Sequence, residues 1–164
     1  MAEFKTNVMR ILEKEKISYV AHEYPHGKEA VDGVTVANLL GQNPECVFKT
    51  LVTKGNSGGY FVFVVPVEKE LDLKKAAKSV GEKSVEMIPV KDIMKITGYV
   101  RGGCSPLGMK KQYKTTFHSS CLENDNIIVS AGKIGYQIDL EPEALIKLSN
   151  AQVCDIVILP KFCH

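Results

Sequence analysis

A lysine set in an apolar stretch is the first residue whose surroundings suggest chemistry. Lys49 lies in Cys46-Val47-Phe48-Lys49-Thr50-Leu51-Val52, where strand alternation groups it with Val47 and Leu51 on one face. Such a lysine either snorkels its ammonium out to solvent or directs it into a polar cavity. In a cavity it is a fixed cation for a carboxylate, a phosphate or a developing oxyanion. The segment by itself is compatible with both.

Two glycine-rich stretches are the next candidates. Gly102-Gly103-Cys104-Ser105-Pro106-Leu107-Gly108 has the composition of a tight loop, able to aim successive backbone N–H groups at one anionic point. It lacks the G-x-x-x-x-G-K-[ST] order of a P-loop, which argues against a nucleoside triphosphate. Arg101, Lys110, Lys111 and Lys114 flank it, with no acidic residue between positions 101 and 114. That density suits phosphate contacts, although a solvated basic face reads the same way. Ser130-Ala131-Gly132-Lys133-Ile134-Gly135 joins two strand-like pieces and on its own is a β-turn. Cys104 resembles a nucleophile only superficially. A catalytic thiol needs a partnering base, and none of the four histidines is tied to it by sequence.

One motif is rejected on physical grounds. His22-Glu23-Tyr24-Pro25-His26 spells the H-E-x-x-H zinc pattern, which works only when a helix puts both histidines on one face. Pro25 sits inside the pentapeptide and would disrupt such a helix by about 3 kcal/mol. The preceding Ile17-Ser18-Tyr19-Val20 also reads as a strand.

The elements that would position these residues follow from hydrophobic periodicity. Phe4, Val8, Ile11 and Leu12 recur at helical spacing and predict an amphipathic helix over residues 3–16. A strand is expected over 17–24, then a helix over 28–41 ended by Gly41. Residues 46–53 and 60–67, split by Gly55-Asn56-Ser57-Gly58-Gly59, predict a hairpin. Its second arm, Tyr60 to Val65, is apolar on both faces and should be a central strand. Helices are expected over 72–80, capped by Asp72 and ended by Gly81, then over 91–96 and 142–149. Further strands are expected over 85–88, 113–118, 126–130, 136–140 and 153–158. The sum is an α+β single domain, 1–164, on a mixed, largely antiparallel sheet, curled or barrel-like, with flanking helices.

Composition narrows the class. The 164 residues are 45% hydrophobic and 24% charged, ordinary globular usage that can bury one sizeable core. The net charge of +2 neither requires nor forbids a nucleic-acid partner. Five cysteines without a C-x-x-C pair argue for reduced, mostly buried thiols, hence a cytoplasmic setting. No run approaches the ~18 apolar residues of a membrane span, and the charged N-terminal segment has no signal-peptide core.

Lys49-Thr50-Leu51, the Gly-Gly-x-Ser-Pro-Leu-Gly loop and the Ser-x-Gly-Lys-x-Gly turn occur here in one order and spacing. Together with Leu12 to Ser18, Leu71 to Lys78 and Val85-Glu86-Met87, they make the chain resemble the YbaK/EbsC family. Members are free-standing editing domains related to the insertion domain of bacterial prolyl-tRNA synthetase. The resemblance runs nearly end to end. It implies an aminoacyl-tRNA deacylase acting on cysteine mischarged onto proline tRNA, in partnership with prolyl-tRNA synthetase and without metal or organic cofactor. It also implies that the substrate's own thiol attacks its ester carbonyl, leaving proximity and electrostatics as the enzyme's contribution.

Carried over by residue, the resemblance makes Lys49 the key lysine, holding the aminoacyl ester or the terminal phosphate, with Thr50 beside it. Gly102, Gly103, Ser105 and Pro106 correspond to the glycine–proline loop that would hold the carbonyl end. Tyr24 and Ser130 correspond to polar pocket positions. Gln137 stands where family members carry an aspartate, so hydrogen bonding is kept and negative charge lost. Asp139, two residues on in the same strand, is the candidate to compensate. Editing of alanine or another small residue is the neighbouring reading. A non-catalytic module that binds tRNA or the synthetase is the alternative from another class.

Overall fold

The computed structural model describes residues 5–25 and 32–159. Within them the chain forms α1 (Asn7–Lys14), β1 (Val20–Glu23), α2 (Gly33–Leu40), β2 (Phe48–Gly55) and β3 (Tyr60–Pro66). These are followed by α3 (Leu73–Ser79), β4 (Val85–Met87), α4 (Ile93–Thr97), β5 (Lys114–His118), β6 (Ile127–Ser130), β7 (Tyr136–Leu140), α5 (Pro142–Ser149) and β8 (Gln152–Cys154). The mixed α+β expectation holds. The expected starts of the first two helices, at residues 3 and 28, lie outside the described residues, as does His26.

The strands form two sheets rather than one closed barrel. A three-stranded antiparallel sheet has the order β1-β7-β6, and a five-stranded mixed sheet the order β4-β2-β3-β5-β8. A bridge between Val47 and Ile128 links them, curling the assembly without closing it. β3 is the middle strand of the larger sheet, and its two faces explain its unbroken apolar run. Val62 and Val64 pack with α1 residues Val8, Met9 and Leu12 and with Phe117, Ile127 and Ile138. Phe63 and Val65 face the other way, against Ala76, Ala77 and Val80 of the α3 region and against Ile156.

The helix ends follow local rules. The Thr6 side chain accepts from Met9 N at the start of α1, and Asp72 accepts from Lys74 N and Lys75 N before α3. Gly41 ends α2 at φ 67°, the left-handed cap that lets Gln42 N reach back to Ala37 O. That cap fixes the path of Gln42. α2 sits at the junction of the two sheets, where Ala37, Val47, Val67 and Ile128 form a small cluster.

Candidate active site

The candidate site is a cleft of about 400 Å³ beside the edge of β2, within the usual size range of ligand pockets. β4 pairs with Thr53, Lys54 and Gly55 of β2, and Ile88 N just beyond it donates to Val52 O at 3.2 Å, so the stretch before Val52 is open on that side. Phe48 to Val52, the 101–104 loop, the Ser130 turn, Tyr24 and α2 make the walls. Val36, Val67, Ile88 and Ile93 give it an apolar floor, while Met87 and Val90 lie half-exposed at its rim.

Backbone alternation points one peptide pair into this space. Val67 N donates to Val47 O at 2.8 Å, and Gly55 N donates to Gly59 O at 2.7 Å. Between those bonds the antiparallel ladder turns the peptide groups of Lys49, Leu51 and Thr53 toward β3, and those of Thr50 toward the open edge. The Thr50 hydroxyl oxygen is itself buried with no partner among the described residues.

Lys49 pairs with Val65 and emerges on the face shared with Leu51, as alternation predicted. The side chain is partly buried and lines the cleft, and among the described residues its ammonium makes no hydrogen bond or ion pair. Burial holds its pKa below the usual lysine range, and the Glu70 carboxylate opposes this in part. An unpaired, partly desolvated cation is poised for an anionic group.

The glycine loop opens with a β-turn. Gly103 N donates to Val100 O at 3.0 Å, and Gly102 takes φ 84° at the third position, where a type II turn requires positive φ. The expected nest is therefore partial, because the Gly103 N–H closes the turn. The N–H groups of Gly102 and Cys104 make no hydrogen bond among the described residues, and both residues line the cleft. Ser105 is fully buried, its Oγ accepting from Leu107 N at 3.5 Å, and holds the loop from within. Tyr99 donates its hydroxyl to Leu107 O beneath it. Cys104 faces the cleft, but burial pushes its thiol up to about 12, the reverse of an activated nucleophile.

The Ser130 turn forms the adjoining wall. Gly132 N donates to Ser130 Oγ at 3.1 Å, and Gly135 O accepts from Tyr24 N at 2.9 Å. The two glycine-rich motifs touch: a Cβ on Gly103 would lie 3.1 Å from Ile134 N and 3.3 Å from Lys133 Cα.

Of the residues expected in the site, Tyr24, Lys49, Thr50, Gly102, Ser130 and Gln137 come together in the cleft. Gly103, Ser105 and Pro106 stand behind it and shape the loop. Asp139 lies outside, accepting from or donating to nothing in the cleft; its Oδ2 is 3.1 Å from His22 Nε2. His22 is in β1, so the rejected zinc pattern has a strand where it needs a helix. Gln42 was missed by the sequence reading. Its Nε2 donates to Gln137 Oε1 at 2.9 Å across 95 residues of chain.

Comparison with known proteins adds a family. Residues 28–148 match the family model described as the aminoacyl-tRNA editing domain. A relative from Enterococcus faecalis (strain ATCC 700802 / V583) is 48% identical over 152 residues, covering 93% of each chain. It is named as a candidate Cys-tRNA(Pro)/Cys-tRNA(Cys) deacylase, EbsC. The proline–tRNA ligase of Fervidobacterium nodosum (strain ATCC 35602 / DSM 5306 / Rt17-B1) is 33% identical over 101 residues, 61% of this chain and 17% of the ligase. A solved structure titled as a candidate trans-editing enzyme for prolyl tRNA synthetase superposes with a TM-score of 0.79 at 23% identity, covering 96% of this chain and 100% of that one. The hypothetical protein APE2540 superposes at 0.82 with 20% identity, covering 92% and 99%. These last two likenesses speak for the fold.

Proposed function

Because the chain belongs to the aminoacyl-tRNA editing domain family, we propose that it hydrolyses cysteine wrongly esterified to proline tRNA. The family membership and the named relative make it an aminoacyl-tRNA deacylase; the amino acid, the tRNA and the mechanism are our reading. We take the whole chain, 1–164, as one editing domain. Val8, Met9 and Leu12 before the matched segment and Ile156 after it are built into the cores.

The observation that carries the reading is the unpaired Lys49 ammonium beside the open N–H groups of Gly102 and Cys104 in one cleft. The terminal adenosine ester enters with its carbonyl toward that end. The cysteine thiol loses its proton, and its sulfur attacks the carbonyl carbon. A C–S bond forms and the oxygen becomes an oxyanion, which Lys49 and the loop amides stabilise. Collapse breaks the ester C–O bond, the ribose oxygen takes a proton, and the released cyclic thioester is opened by water. No protein nucleophile is required, in keeping with the raised Cys104 thiol and a cleft wall without histidine among the described residues.

Editing answers a limit of size discrimination. Cysteine and proline differ so little in bulk that a synthetic pocket separates them by only about 1–3 kcal/mol. The deacylase would act in the cytoplasm on the acceptor end of proline tRNA, meeting prolyl-tRNA synthetase transiently. Arg101 at the cleft and Lys110, Lys111 and Lys114 beyond it supply phosphate contacts. A deacylation time course on proline tRNA charged separately with cysteine, alanine and proline tests the assignment. Loss of cysteine alone supports it. Loss of alanine alone reassigns the pocket, and loss of none leaves a binding module.

A further inference from the structure

Every residue described in the cleft wall is neutral except Lys49 and Arg101, and no carboxylate is among them. Gln137 lines this cleft, at a position where the family resemblance implies an aspartate. It is 6% exposed, and its Oε1 is taken by Gln42 Nε2 at 2.9 Å. Its own Nε2 has no partner among the described residues, is not sealed from solvent, and belongs to a residue of the cleft wall.

The direction of this bond is set by its surroundings. The Gln42 Oε1 is buried and meets no donor among the described residues. With both amides reversed, Gln42 would instead bury an NH2 with two unsatisfied donors, a costlier arrangement. Backbone geometry holds the arrangement in register: Gln42 follows the left-handed Gly41 cap, and Gln137 sits in β7 between β1 and β6.

We propose that Gln42 is a positioning residue which turns the Gln137 amide so that its NH2, not its oxygen, faces the substrate. The inference rests on the deacylase reading and specifies how the site tells amino acids apart. A cleft whose described side chains supply cations and amide donors holds no carboxylate among them for a protonated α-amine. It favours an aminoacyl group whose side chain accepts a hydrogen bond or carries negative charge. A thiolate meets that condition most strongly, and a neutral hydroxyl or thiol does so more weakly. A methyl group does not. This donated hydrogen bond thereby adds to the separation of cysteine from alanine, which also lacks the attacking thiol, and replaces a carboxylate grip on the amine.

An isosteric substitution reverses the bond without changing the shape. In Gln42→Glu the carboxylate can only accept, so Gln137 must donate to it, and Oε1 swings to the cleft side. The rates of cysteine and alanine release from proline tRNA are compared for wild type and Gln42→Glu, with Gln42→Met as a second variant and thermal unfolding alongside. The expected result is a fall of about tenfold in the cysteine-to-alanine ratio of kcat/KM for Gln42→Glu, the size of one lost hydrogen bond to a polarisable or ionised acceptor. Gln42→Met, which leaves the amide unheld, should lower the ratio less and raise KM for cysteine more than it lowers kcat. A ratio unchanged in both variants, with wild type active, overturns this inference and leaves the deacylase reading standing. A wild type inactive on every charged tRNA overturns the deacylase reading itself.

Discussion

Gly103 lies against Ile134 so closely that a side chain on it would stand 3.1 Å from the Ile134 nitrogen. The glycine loop and the Ser130 turn are far apart in sequence, yet this contact makes them adjoining walls of one cleft. At that separation the facing backbone, not a flexible side-chain tip, has to move. Gly103→Ala is expected to cost about 1–3 kcal/mol of stability and to lower kcat/KM by more than the fraction unfolded explains. Denaturant unfolding and deacylation rates on the same preparation check this, and an active, equally stable variant would contradict it.

Thr50 separates binding from stability. Its buried hydroxyl oxygen has no partner among the described residues, so Thr50→Val removes an unsatisfied group rather than a hydrogen bond. The variant should be within about 0.5 kcal/mol of wild type or more stable. If the hydroxyl is satisfied by substrate, KM rises several-fold. Thermal unfolding and steady-state kinetics read the two effects separately.

Cys104 should behave as a wall and not as a nucleophile. With its thiol pushed up to about 12 by burial, iodoacetamide at pH 8 should leave it unmodified in the folded protein and modify it after denaturation. Acid-quenched turnover should yield no aminoacylated protein by mass spectrometry. A cysteinyl adduct on Cys104 would replace the substrate-assisted mechanism with a covalent one.

His118 predicts a pH dependence away from the site. Its Nδ1 accepts from Ile156 N at 3.2 Å, and burial holds its pKa below the ordinary value of about 6.5, while Asp155 and Glu123 oppose this and Lys75 and Lys69 add to it. The folded protein thus favours neutral imidazole. Stability is full above the unfolded pKa and is lost as pH falls through the folded one. Asp155, whose carboxyl is held below its ordinary value, acts in a lower window. Melting temperature should fall between pH 7 and 5 in wild type, and less in His118→Gln. Parallel curves would remove His118 as the cause.

Elements with strong local signals were legible in the sequence. The two-sided apolar run of β3, the glycine turn before it and the Asp72 cap of α3 appear with ends shifted by a residue or two. Sheet partition was not legible, since Val47–Ile128 is a single bridge with no sequence mark. In the site, Lys49 stood out because a charge in an apolar strand is locally anomalous. Gln42 did not, because a glutamine after a helix-ending glycine is ordinary, and its meaning arises only when folding brings Gln137 to it. Asp139 shows the converse. Period-two spacing suggested a role beside Gln137, but its carboxylate is engaged with His22 across β1. The glycine loop was correctly read as tight, while the division of its N–H groups between turn closure and cleft depended on φ at Gly102.

The most direct measurement is single-turnover deacylation of cysteine-charged proline tRNA by wild type and Lys49→Ala, with tRNA affinity determined for both. The account predicts a loss of about 10²–10³ in the chemical step, as for other removed oxyanion donors, with affinity changed only by the salt-dependent share of one cation. Equal single-turnover rates in the two proteins would contradict it.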